Sequence, residues 1–198
     1  MQILKEELRQ KILHTAIKEF LSQGYEAASL RKIAGICDIA PGSIYNYYPS
    51  KADLYLNVTL SFDEERMNRI LSAMQSGKTL AEKILNYCYA YYDYVKEHTE
   101  KFRLFMHYEL HGLNENEISE KTKEKLEQIK TKNVLPFAEV FSAGVKEGAI
   151  SSDLNYETFI VGFTMSVRIA LNEVLVLRYQ DESFFKQYIQ MLIFGIIK

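Results

Sequence analysis

Within residues 29–51, SLRKIAGICDIAPGSIYNYYPSK, residue type is tied to position more tightly than anywhere else in the chain. Ser29 can cap a helix by accepting an N–H bond from the first turn, and Leu30, Ile33, Ala34 and Cys37 then recur on one side at helical spacing. Asp38, Ile39 and Ala40 break that helix: Asp tolerates the left-handed backbone of a tight turn, and Ile39 gives an apolar plug beneath the bend. Pro41 suits the first position of a new helix, where its missing N–H is no loss, and Ile44 with Tyr47 makes an inward pair. The order matches a helix-turn-helix, in which the small Ala34 lets the second helix pack across the first. Ser43, Tyr45 and Asn46 then point outward, and hydroxyls, an amide and aromatics suit the reading of base edges. Ser50-Lys51-Ala52-Asp53 predicts a capping box that starts a further helix, with Lys51 placed beside its N-terminal amides to meet a phosphate.

Length and composition bound the rest. With 198 residues, 47% hydrophobic and 25% charged, the chain can bury a small domain and a larger one, and only 3 Pro and 9 Gly predict helices throughout. The net charge of −2 is low for a nucleic-acid binder, but it is unevenly spread. Residues 1–51 carry 7 Lys and Arg against 5 Asp and Glu, whereas 52–198 carry 17 against 21. Cys37 and Cys88 fit no metal or disulfide spacing and read as buried thiols of a reduced, cytoplasmic protein. The charged N-terminus lacks the apolar core of a secretory signal, and no run reaches 18 apolar residues, so no membrane partner is expected.

Along the chain, an apolar stripe from Leu8 to Leu21 predicts a first helix over about 5–22, stopped by Gly24. A long helix from Lys51 to about Ser76 would carry the phosphate-facing end at one extremity and enter a second domain at the other. Thr79 to Glu97 holds five tyrosines within the eight residues 87–94. They read as an aromatic core with hydroxyls at its edge, or as a pocket wall for a small aromatic or cationic molecule, formed by Tyr87, Tyr91 and Tyr94 with Phe105 and Phe163. After a helix over 101–111, the polar run 114–132 reads as a solvated helical face or a loop, followed by a helix entered near Pro136. Residues 156–179 and 183–197 are apolar on most sides, more than one subunit of this size can cover. A two-fold dimer is expected, its four-helix interface including Val167, Leu171, Val174, Leu175, Phe185, Tyr188 and Leu192.

Ile12-Leu13, Ala16, Phe20, Gly24-Tyr25, Ala28 to Ala34 and Ile39 to Leu54 resemble the N-terminal signature of the TetR-type transcriptional regulators. Asp38 stands where that family usually has Gly, and Ala40 where it often has Ser. The resemblance implies an all-α protein: a three-helix helix-turn-helix domain over 6–66, with its motif at 29–48, and an effector-binding and dimerisation domain over 67–198. It further implies that Gly42, Ser43, Tyr45 and Asn46 approach bases, that Arg31 reaches the groove or a phosphate, and that Tyr47 or Tyr48, with Lys51, holds the backbone. The partners so implied are a double-stranded DNA operator, a second copy of the chain and a small-molecule effector that releases repression. A protein-interaction module of the same fold, without operator binding, is the alternative. Catalysis has no candidate machinery: there is no phosphate loop or nucleophile elbow, and His107 with His111 lacks a third metal ligand. No cofactor is implied.

Overall fold

Helices account for every long element of the computed structural model, which describes residues 2–196, and of Gln2, Ile3, Phe194 and Ile196 the backbone only. The chain divides into two units, Met1–Asp63 with Leu104–Gln128 and Glu64–Arg103 with Ile129–Lys198. In this division residues 104–128 fall with the first unit, and the expected ranges were 6–66 and 67–198.

The first unit begins with α1 (Gln2–Ala27), interrupted at Gly24, whose φ of 76° takes it out of helical geometry as its lack of a side chain permits. Next come α2 (Leu30–Ile36) and a 3-10 turn over Pro41–Asn46. Then α3 (Lys51–Gln75) starts in this unit and ends in the other. The core joins Ile12, Ala16 and Phe20 of α1 to Ile33 of α2, to Ile44 and Tyr48, to Leu54, Tyr55 and Val58 of α3, and to Leu104 of α5 (Thr99–His111). Tyr55 is its centre: its ring meets Phe20 edge-on at 4.8 Å and Tyr25 at 5.1 Å, and its hydroxyl donates to the Leu104 carbonyl at 3.0 Å. Those contacts are why the end of α5 belongs here.

The beginning of α6 (Glu120–Lys146) belongs here for a second reason. Ser50 caps α3 by accepting the Asp53 N–H at 2.9 Å, but only this half of the expected capping box forms. The Asp53 carboxylate instead accepts the Ser119 hydroxyl at 2.6 Å and the Ser119 N–H at 3.2 Å, at the head of α6. Burial pushes the Asp53 carboxyl upward, yet the hydrogen bonds from Ser119, Thr122 and Ser50 outweigh it and hold its pKa below the ordinary value.

The second unit is built around α4 (Leu80–Glu97), started by a complete capping box of Thr79 and Glu82. Its buried tyrosines settle into an aromatic core with polar rims. The ring of Tyr87 lies 4.8 Å from Phe137 and 5.9 Å from Phe163, and Tyr91 meets Phe102 at 6.1 Å. Tyr92 donates to Glu182 at 3.1 Å and Tyr94 to Glu65 at 3.1 Å. Burial and the Glu182 carboxylate push Tyr92 up to about 12. Phe105, also expected in the pocket wall, lies in the first unit, 5.7 Å from Phe62.

Two boundaries differ from expectation here. α6 is continuous from Glu120 and passes through Pro136, because the buried stripe Ile129, Phe137 and Val140 spans the proline and outweighs the lost N–H. α7 (Tyr156–Leu171) continues as a wider π-helix over Asn172–Leu177, ending at Arg178 with φ 57°. Within Tyr156–Leu177 an 18-residue window has a mean hydropathy of 1.7, long and apolar enough by length and composition alone to cross a membrane, which the count of apolar runs did not anticipate. α8 (Glu182–Ile196) packs on α7 and α4; the expected end of this helix at Ile197 lies outside the described residues.

Of the residues expected at a dimer interface, Val167, Leu171, Val174 and Phe185 are buried within their own unit, while Leu175, Tyr188 and Leu192 stay partly exposed. The apolar side chains left bare are others: Val161 at 55% and Ile169 at 49% exposure on α7, and Met191 at 61% on α8. With half-buried Met165, Phe184, Tyr188 and Leu192 they recur at helical spacing along one side of each helix.

Candidate nucleic-acid interface

Ser29 accepts the Lys32 N–H at 3.3 Å and so caps α2. Behind it, Glu19 is 4% exposed, accepts the Ser29 N–H at 3.3 Å and pairs with Lys32 at 2.6 Å. This carboxylate at the head of α2 holds the helix against α1, and sequence reading missed it. The turn follows as expected, with Asp38 in the left-handed region at φ 60° and the Ile39 N–H returning to the Ala34 carbonyl at 3.1 Å. Ala34 is fully buried.

Pro41 to Asn46 winds as a 3-10 helix rather than an α-helix. Six residues that begin with Pro and Gly gain few i to i−4 bonds, and the tighter turn satisfies the ends of so short a segment. Ile44, at 0% exposure, pins the segment to the core, and Tyr48 four residues on, at 2%, does the same. Of the two adjacent tyrosines, between which the sequence left the choice open, Tyr48 is therefore the core residue and Tyr47 is the one that reaches solvent. Burial raises the pKa of the Tyr48 hydroxyl, opposed by the Arg9 guanidinium, which lies 5.6 Å over the ring.

Arg31, Gly42, Tyr45 and Asn46 are exposed, and Ser43 is half-buried. Tyr45 presents 53% of its surface to solvent. Lys51 is more occupied than expected: its ammonium donates to the Glu26 carbonyl at 2.8 Å and lies 4.8 Å over the Tyr25 ring. It therefore ties α3 to the end of α1, and the remaining ammonium protons are what it can offer a phosphate.

Beside the reading segment lies a cleft of about 380 Å³ lined by Lys5, Glu6, Arg9, Asn46, Tyr47 and Lys121. Lys5 and Arg9 stand four apart on α1, a spacing visible in the sequence; Lys121, from the first turn of α6, had no local signal. His107 and His111 lie elsewhere in this unit with rings stacked at 4.6 Å. The Nδ1 of His107 meets the Tyr55 hydroxyl at 3.3 Å, and the Nδ1 of His111 meets the His107 carbonyl at 3.1 Å.

A cap, a left-handed turn, a pinned short helix and an exposed polar-aromatic face thus stand together in one unit. Residues 12–58 match the family described as Bacterial regulatory proteins, tetR family. The likeness to that family lies in this helix-turn-helix stretch. The HTH-type transcriptional regulator YuxN of Bacillus subtilis is 30% identical over 89 residues, covering 45% of this chain and 31% of YuxN, so this chain spans about a third of that relative's length. A TetR family regulator from Shewanella sp. PV-4 shares the fold with a TM-score of 0.75 at 19% identity, over 96% of this chain and 98% of that one. FadR from Bacillus subtilis, solved in complex with stearoyl-CoA, does so with a TM-score of 0.75 at 16% identity, over 94% and 98%.

Proposed function

We propose that this chain is a sequence-specific DNA-binding transcriptional regulator of the TetR family that acts as a homodimer. The observation that carries this reading is the pinned reading segment: buried Ile44 and Tyr48 fix a short helix whose outer residues Tyr45 and Asn46, with Arg31 from α2, are left to solvent. Gly42, Ser43 and Tyr47 complete the face, and Lys51 adds a cation at its edge. Side chains of these types read base edges and hold phosphates in a major groove.

The bare side chains Val161, Ile169 and Met191 support pairing of α7 and α8 with those of a second copy. Two reading heads related by a two-fold axis require a pseudo-palindromic operator. Repression follows from occupancy of that site, and release from a small molecule held in the second unit, a coupling of about 1–3 kcal/mol. That the similarly folded FadR of Bacillus subtilis was solved in complex with stearoyl-CoA supports the idea that such a unit takes a ligand.

The test starts from a randomised duplex pool from which the wild-type chain selects. An inverted repeat should emerge, and Tyr45→Ala, folded and dimeric, should lose at least about tenfold in affinity, the worth of one good base or stacking contact. Selection of no sequence, or a Tyr45→Ala protein that binds as the wild type does, would sink the proposal.

A further inference from the structure

The cleft between α1, the reading segment and the head of α6 is rich in cations. Three of its six lining residues are cations, Lys5, Arg9 and Lys121, against one carboxylate, Glu6, which accepts from Gln10 at 2.9 Å. Among the described residues none of the three cations has an ion-pair partner within 4.0 Å, whereas Lys32 and Lys123 are both paired. Arg9 is held in place by the Tyr48 ring, 5.6 Å away, while Lys5 and Lys121 are exposed. Three cations against one carboxylate leave the concavity with a net positive charge, which favours an anion there.

The remaining lining residues say which anion. Asn46 is the last residue of the reading segment and Tyr47 follows it, so the cleft opens directly off the proposed base-reading face. An amide and a phenol beside three cations is the donor set that protein–DNA interfaces direct at phosphate oxygens. The cleft is lined mainly by polar groups from three elements and, at about 380 Å³, is roomier than a single free phosphate needs, which suits a stretch of sugar-phosphate backbone.

We infer that Lys5, Arg9 and Lys121, with Tyr47, form a phosphodiester-binding cleft that grips the DNA backbone beside the half-site read by Tyr45 and Asn46. The inference rests on the regulator reading above. It gives the first turn of α6 a direct hold on the DNA, although that turn lies far along the chain from the reading motif.

The test uses the full chain and the duplex it selects from the pool, comparing wild type with the Lys5→Gln/Lys121→Gln double variant; both positions are exposed, so the fold is spared. The slope of log K against log salt should be shallower for the variant by about one unit per reading head. A methylphosphonate substituted at single phosphates along the duplex should, at one position per half-site, weaken the wild type and leave the variant indifferent. An unchanged slope, or methylphosphonates that act alike on both proteins, overturns the inference while leaving the regulator reading intact. Inorganic phosphate that abolishes the difference between the two proteins at constant ionic strength overturns it also, by assigning the cleft to a free anion. A wild-type chain that retains no duplex refutes the regulator reading itself.

Discussion

Replacing Asp53 by alanine should cost the chain far more stability than its place in the first turn of α3 would suggest. In an exposed first turn a carboxylate contributes about 0.3–1 kcal/mol through the helix dipole. Asp53, however, is 1% exposed and accepts two hydrogen bonds from Ser119, at 2.6 Å from the hydroxyl and 3.2 Å from the N–H. Each bond to a charged acceptor is worth about 1.5–3 kcal/mol, and water can replace part of the loss because Ser119 is only half-buried, so a net cost of about 2–4 kcal/mol is expected. Asp53→Asn keeps the shape and one acceptor and should cost about half as much. The assay is urea unfolding at a fixed protein concentration, since dimerisation would otherwise enter the midpoint. Because the folded carboxyl titrates below its ordinary 3.8, the unfolded chain binds more protons in acid and the contribution is present above that value. It is lost as pH falls through the folded value, so the gap between wild type and Asp53→Asn should close in acid. A cost for Asp53→Ala below about 1 kcal/mol, or a gap that stays constant from neutral pH to strong acid, would refute the reasoning.

Three further substitutions probe other parts. Tyr55→Phe removes the buried hydroxyl bond to the Leu104 carbonyl, and the orphaned acceptor should lower stability by about 1–2 kcal/mol in the same unfolding assay. Gly77→Ala would set a Cβ 2.5 Å from the Lys83 nitrogen, a backbone atom that cannot swing aside, so a loss of about 1–3 kcal/mol and a lower melting temperature are expected. Ile169→Glu, on the bare side of α7, should shift the chain from dimer to monomer in analytical ultracentrifugation and leave the far-ultraviolet circular dichroism unchanged; a dimer that persists would move the interface elsewhere.

The helix-turn-helix was legible because its devices act within a few residues of chain. A cap at Ser29, a left-handed turn at Asp38 and a proline at the head of the next helix each need only their neighbours. The Tyr47 and Tyr48 ambiguity marks the edge of that range, since adjacent aromatics cannot be assigned to core or surface until the pitch of a short 3-10 helix is known. Asp53 reaching to Ser119, Tyr55 to Leu104 and Lys121 closing the cleft are pairings across half the chain, and nothing local announces them. For α7 and α8 the obstacle was different: where both sides of a helix are apolar, periodicity cannot say which side its own subunit covers, and Val167 and Phe185 went to the inside.

Residues 104–128 fold with the first unit although much of the second lies before them in the chain. A protease or a geneticist who cuts near residue 66 would therefore release a fragment stripped of its own lining, with the Tyr55 hydroxyl and the Asp53 carboxylate turned toward water. A fragment that keeps the packing of this unit must carry both pieces.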